Sequence, residues 1–190
     1  MNAEERKPPV SFANPAGEAA AAAAGYVRAL LELLGDRDPL VVAAELVPWL
    51  ERRTAGLEEA LLRRPEAPGK WSVIEVVQHL ADSELVYAWR TRLLLTEDRP
   101  ALQGFDQDAW ARTLRYADMP LDVALAQVRG MRAANLRLWR SLTPSQRARV
   151  GLHSERGPES LDLLLRLMGA HDLVHRRQIE RVLAAGAASR

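Results

Sequence analysis

From Val73 to Thr96 the apolar side chains recur at the three-and-four spacing of a helix with one buried face, marked by Val73, Val77 and Leu80. The start of that helix is written into its flank. Ser72 can cap the third amide, Glu75 can reach back to the cap amide, and Trp71 and Val76 can close an apolar staple across the turn. The same period predicts three more long helices. One opens at Asp38 and Pro39 and carries Leu46, Trp49, Leu50, Leu57 and Leu61 to about Arg63, with Pro48 expected to kink or interrupt it. One follows Asp118 and Pro120 on the stripe Leu121, Ala124, Leu125, Val128, Leu136 and Trp139 to about Leu142, and the last runs from about Ser160 to Gly186. A shorter helix from about Gly17 to Leu34, stopped by Gly35, precedes them, and residues 1–16, with Pro8, Pro9 and Pro15, read as a loose N-terminal arm.

No alternating run suggests a strand of useful length, so the fold class is all-α, a four-helix bundle with an additional N-terminal helix, forming a single domain over 17–186. The connections are uneven. Glu97 to Asp118 is long for a bundle loop and holds Phe105-Asp-Gln-Asp-Ala-Trp110, and Thr143 to Pro158 is irregular.

Composition narrows the chemistry. Lys and Arg total 26 against 25 Asp and Glu in 190 residues, which gives no field to attract nucleic acid or anionic lipid. There is no cysteine, so thiolate ligands and a cysteine nucleophile are excluded. The alanine run Ala19 to Ala24 is too short to cross a bilayer and no basic n-region precedes an apolar segment, so a cytoplasmic protein is expected.

Against this background the histidines stand out. His171 and His175 are four apart on the last helix, on the face of Leu161, Leu164, Met168, Ile179 and Val182, so both rings point toward a core and one ion could bridge them. The competing reading is a chance pair, one ring solvated and one hydrogen-bonded. His79, at the border of its helix stripe, is ambiguous by itself. Glu75 and Asp82 adjoin it and are candidates to orient a ligand or handle a proton, or else ordinary surface carboxylates. Arg132 and Asn135 interrupt an apolar stripe and are candidates for a pocket wall that orients an anionic or polar group, or else a snorkelling cation and a core hydrogen bond. His153 reads as a surface or turn histidine, the alternative being the pocket mouth.

The segments Lys70-Trp-Ser-Val-Ile-Glu-Val-Val-Gln-His-Leu-Ala-Asp-Ser-Glu84 and Gly169-Ala-His-Asp-Leu-Val-His-Arg-Arg-Gln-Ile179, in this order, resemble the DinB/YfiT-like superfamily over roughly residues 40–185. The resemblance implies a bundle running up-down-down-up and one divalent metal ion, often nickel or zinc, on three histidines that fall here on His79, His171 and His175. It also implies a homodimer and a small-molecule substrate. Members resemble transferases that use a low-molecular-weight thiol, while others look like metal-dependent hydrolases, and the family name reflects a stress response to DNA damage. The expected function is therefore a metal-dependent transferase or hydrolase. Its rival is a non-catalytic metal-binding module acting through protein contacts.

Overall fold

The computed structural model describes residues 20–188, and the arm expected over residues 1–16 lies outside them. The four long helices are α2 (Pro39–Thr54), α4 (Val73–Thr96), α6 (Leu121–Arg140) and α8 (Leu161–Ala188), with α1 (Ala20–Leu34) laid against α8. Their directions follow from the contacts between them. Gln78 meets Gln127 and Thr91 meets Trp139, so α4 and α6 run parallel; Glu45 meets Arg176 and Arg53 meets Glu180, so α2 and α8 run parallel as well. Ala43 with Arg132 and Glu51 with Arg129 set α2 against α6, which completes an up-down-down-up bundle. Parallel neighbours need a long crossover. Residues 97–120 supply it.

The local signals act as read. Asp38 caps α2 through the Leu40 amide, and Ser72 and Glu75 form the reciprocal capping box of α4. Pro48 does not interrupt α2. It lies on the exposed face, where water can satisfy the carbonyl that its missing N–H leaves unpaired. The break comes at Ala55 and Gly56, whose φ of +71° turns the chain into the short α3 (Glu59–Leu62). At the other end of α2, a Cβ on Gly169 would lie 3.0 Å from Pro39, so glycine lets α8 and α2 approach this closely.

The expectation of no strand needs a small correction. β1 (Ala101–Leu102), β2 (Val150–His153) and β3 (Gly157–Ser160) form a three-stranded sheet, β1 parallel to β2 and β2 antiparallel to β3. Strands of two and four residues are too short for alternation to register in a sequence. This sheet ties the crossover, with α5 (Gln107–Thr113) and the 3-10 turn Tyr116–Asp118, to the segment after α6, where α7 (Pro144–Arg147) also lies. It brings Phe105 and His153 to one pocket.

Two apolar clusters fill the bundle. One gathers Leu46, Leu50, Ile74, Val77, Leu80, Val128, Ile179 and Val182; the other gathers Leu40, Leu94, Leu136, Trp139, Leu164, Leu165 and Met168. Along α4, α6 and α8 a buried polar layer of Glu84, Arg132, Asn135 and Asp172 separates them, with His79, His171 and His175 beside it. None of the described helices is long and apolar enough to cross a membrane.

Candidate metal centre

His79 comes from the second turn of α4 and His171 and His175 from the middle of the antiparallel α8. All three are buried. The His171 Nε2 lies 3.1 Å from the His79 Nε2 and 3.0 Å from the His175 Nε2, and the three residues offer ligand atoms within 4.8 Å of one another. Nitrogens that share one ion at about 2.0–2.1 Å must lie about 3 Å apart, so the spacing fits a common cation. The proton positions fit as well. The Nδ1–H of His175 donates to the Gln178 Oε1 at 2.8 Å, which leaves the Nε2 lone pair facing the other two rings. His79 Nδ1 has no partner, so this ring is held only by packing and by whatever its Nε2 meets.

Electrostatics keep the rings neutral, the form that binds a metal. Burial, followed by the neighbouring His175 ring, holds His79 well below the ordinary histidine value, and burial with the other two rings and Arg132 does the same for His171. Burial also pushes His175 down, to about 4, against the opposing Gln178 bond.

Aromatic rings wall the centre. Trp71 packs 5.0 Å and Phe105 6.5 Å from the His79 ring, and Tyr87 packs 6.2 Å from His171, all between ring centroids. Ser83, one turn after His79, places its Oγ 3.4 Å from the His79 Nε2. A cavity of about 60 Å³ opens beside the rings, lined by His79, His171, Ser83, Tyr87, Phe105 and Arg90 among others. His175 instead faces a second, wider depression with Trp71, Gln107, Gln178 and Arg181.

His153 lines the first cavity and is only 3 % exposed, so the surface or turn reading is corrected: the β-sheet carries this ring inward to the mouth. Its Nδ1 accepts the Glu155 amide N–H, and burial together with the Arg156 and Arg90 charges pushes it down to about 3. The unfolded chain therefore takes up a proton as pH falls below about 6.5 while the folded chain does not, so stability is full above that pH and declines toward about 3. The buried metal-centre rings act in the same direction. Between pH 7.5 and 5.5 the His153→Phe variant is expected to lose about 1 kcal/mol less unfolding free energy than the parent. Urea titrations at the two pH values measure this, and equal losses would refute the assignment.

The other sequence candidates lie around the rings but do not bond to them. Glu75 accepts the Ser72 amide and hydroxyl, so its carboxylate closes the cap of α4. Asp82 accepts the Tyr116 hydroxyl at 2.5 Å and the Gln78 and Gln127 amides, and it holds the crossover against α4. Arg132 and Asn135 are buried behind the histidines and are not among the residues lining either depression. Arg132 donates to Glu84, Asp172 and the Ala43 carbonyl, and Asn135 donates to Glu84. The core hydrogen bond considered for Asn135 is what the structure contains. Sequence reasoning missed Ser83, Tyr87 and Arg90 as cavity residues, although all three recur at helical spacing after His79.

Comparison with known proteins agrees with this geometry. The model of the DinB superfamily matches residues 49–179. A protein of Geobacillus thermodenitrificans with the provisional name metal-dependent hydrolase is 34 % identical over 106 residues, which make up 56 % of this chain and 60 % of that protein. The chain thus spans less than two thirds of that relative. A similarly named protein of Geobacillus kaustophilus is 30 % identical over 72 % of this chain and 83 % of its own length. Among solved structures, YfiT from Bacillus subtilis, described as a probable metal-dependent hydrolase with an unusual four-helix bundle topology, superposes with a TM-score of 0.71 at 28 % identity, covering 76 % of this chain and 83 % of YfiT.

Proposed function

The chain belongs to the DinB superfamily, and from that premise we propose that it is a metal-dependent hydrolase of a small molecule, with one zinc or nickel ion held by His79, His171 and His175. The observation that carries the reading is the convergence of three Nε2 atoms, two of them on rings that line an open cavity. Three protein ligands with space next to them is the pattern of catalytic sites, whereas structural sites are closed by four. When bound, such an ion supplies Lewis acidity and lowers the pKa of water toward neutrality.

The chain's own residues do the rest. Gln178 fixes the His175 tautomer, and Trp71, Phe105 and Tyr87 keep bulk water from the rings. The Ser83 hydroxyl, within reach of the His79 Nε2, is placed to orient a polar group entering the cavity. Glu75 and Asp82 take supporting roles in this reading, through the helix cap and the Tyr116 tether. The reading includes a homodimer, supported by the exposed Leu85 and Trp89 one turn apart on α4.

The test is a screen of ester and amide hydrolysis by metal-free protein and by protein reconstituted with zinc or nickel, each with and without a low-molecular-weight thiol. Hydrolysis that needs the ion and not the thiol supports the proposal. Turnover only with the thiol would replace it with group transfer, and metal-independent turnover would overturn it.

A further inference from the structure

The first cavity runs along one wall of α4, from His79 past Ser83, Val86 and Tyr87 to Arg90. Arg90 enters that wall three turns after His79, about 16 Å along the axis. Arg90 is buried as a residue, and its guanidinium makes a single hydrogen bond, from Nη2 to the Gln103 carbonyl, with no described carboxylate within ion-pair distance. The contrast with Arg132, which two buried carboxylates surround, is direct. Burial and then the neighbouring Arg156 charge hold Arg90 below the ordinary arginine value, against smaller opposing pulls from Tyr87, Glu159 and Glu155.

Other donors converge at the same end. Because His153 Nδ1 accepts the Glu155 amide, its proton sits on Nε2, and that N–H is buried with no partner. Arg156 also lines the cavity, but Glu159 already binds its Nε at 2.7 Å. Glu155, on the same rim, is the one carboxylate among the described residues that lines this cavity. A guanidinium without an ion-pair partner next to a buried N–H that has no acceptor suits a planar oxyanion.

We infer that Arg90 and the Nε2–H of His153 form a carboxylate-binding subsite, so that the substrate carries an acidic group at the end remote from the three histidines. The substrate-class statement rests on the hydrolase reading, but the subsite does not. Arg90 lies three turns beyond His79 on α4 and His153 lies on β2, so neither group is on a metal-binding turn and an anion should bind with or without the ion.

The probe is propionate, small enough for this cavity, with propionamide as its neutral isostere, titrated at constant ionic strength and followed by amide NMR. Propionate is expected to shift the Gly104 and Glu155 amides saturably, and propionamide is not. Arg90→Gln is expected to raise the propionate Kd by about tenfold or more, the usual consequence of removing a charged hydrogen bond. His153→Phe should raise it too, and it decides the matter if Arg90→Gln fails to melt cooperatively. His171→Ala, which removes a metal ligand, should leave the subsite shifts in place. Equal shifts from both probes, no saturable shift, an unchanged Kd in the folded variants, or loss of the shifts in His171→Ala would overturn the proposal. Failure to find bound metal would sink the hydrolase reading and leave this result standing.

Discussion

Replacing His171 with alanine is expected to take the protein from about one equivalent of tightly held zinc or nickel to none that survives gel filtration. Its Nε2 is the one that lies within 3.1 Å of both other ligand nitrogens, so its loss leaves two nitrogens from different helices with no third between them. Removing an outer hydrogen-bond partner of a metal ligand typically costs about 10–100-fold in affinity. Gln178→Ala should fall in that range, because it frees the His175 ring to rotate and change tautomer. Loss of the ligand itself should cost more. Competition against a chromophoric chelator ranks the three proteins, and equal affinities for parent and His171→Ala would rule out the three-histidine centre. The metal-free forms should show a different order. There the three rings crowd without a shared cation, so His171→Ala should melt no lower than the metal-free parent.

Much of this centre was legible because its signals are local. The four-residue spacing of His171 and His175, the Ser72 and Glu75 box that fixes the phase of α4, and the apolar stripes all act within one helix. The phase of α4 then sets which way His79 faces, and the resemblance carried by the two motifs paired it with α8. The missing parts depend on distant chain segments. β1 and β2 pair Leu102 with His153, residues whose separation gives no periodic signature, and only that pairing turns His153 inward. Pro48 signals a break in sequence, but its exposed position lets α2 run on to Thr54, and solvent exposure is a property of the packed bundle rather than of the local sequence. Arg132 was ambiguous for a related reason: its partners Glu84 and Asp172 lie on two other helices, and a cation on an apolar stripe looks the same in sequence whether it lines a pocket or is fully paired.

That pairing sets the second large effect. Arg132 donates four hydrogen bonds, to Glu84 from Nε, to Asp172 from Nη1 and Nη2, and to the Ala43 carbonyl from Nη1, and its Nη2 also lies 2.5 Å from the Glu84 Oε1. Burial works against the charge, but Asp172 and Glu84 outweigh it and hold the guanidinium protonated above its ordinary value. Arg132→Met removes the cation and leaves two carboxylates facing each other in the core, with an expected loss of about 3–5 kcal/mol in urea unfolding. Adding Glu84→Gln and Asp172→Asn to that variant should recover part of the loss, since neutral amides cost less to bury than unpaired charges. If the triple variant were no more stable than Arg132→Met, uncompensated charge would not be the cause. The same network reaches the metal centre through the backbone: Asp172 follows His171 directly, and Glu84 follows Ser83, the residue whose hydroxyl meets His79. Arg132 thus fixes α8 and α4 to α6 at the level where their histidines must meet. In the triple variant, where the fold is partly restored but the ion pairs are gone, metal affinity should recover less than stability does.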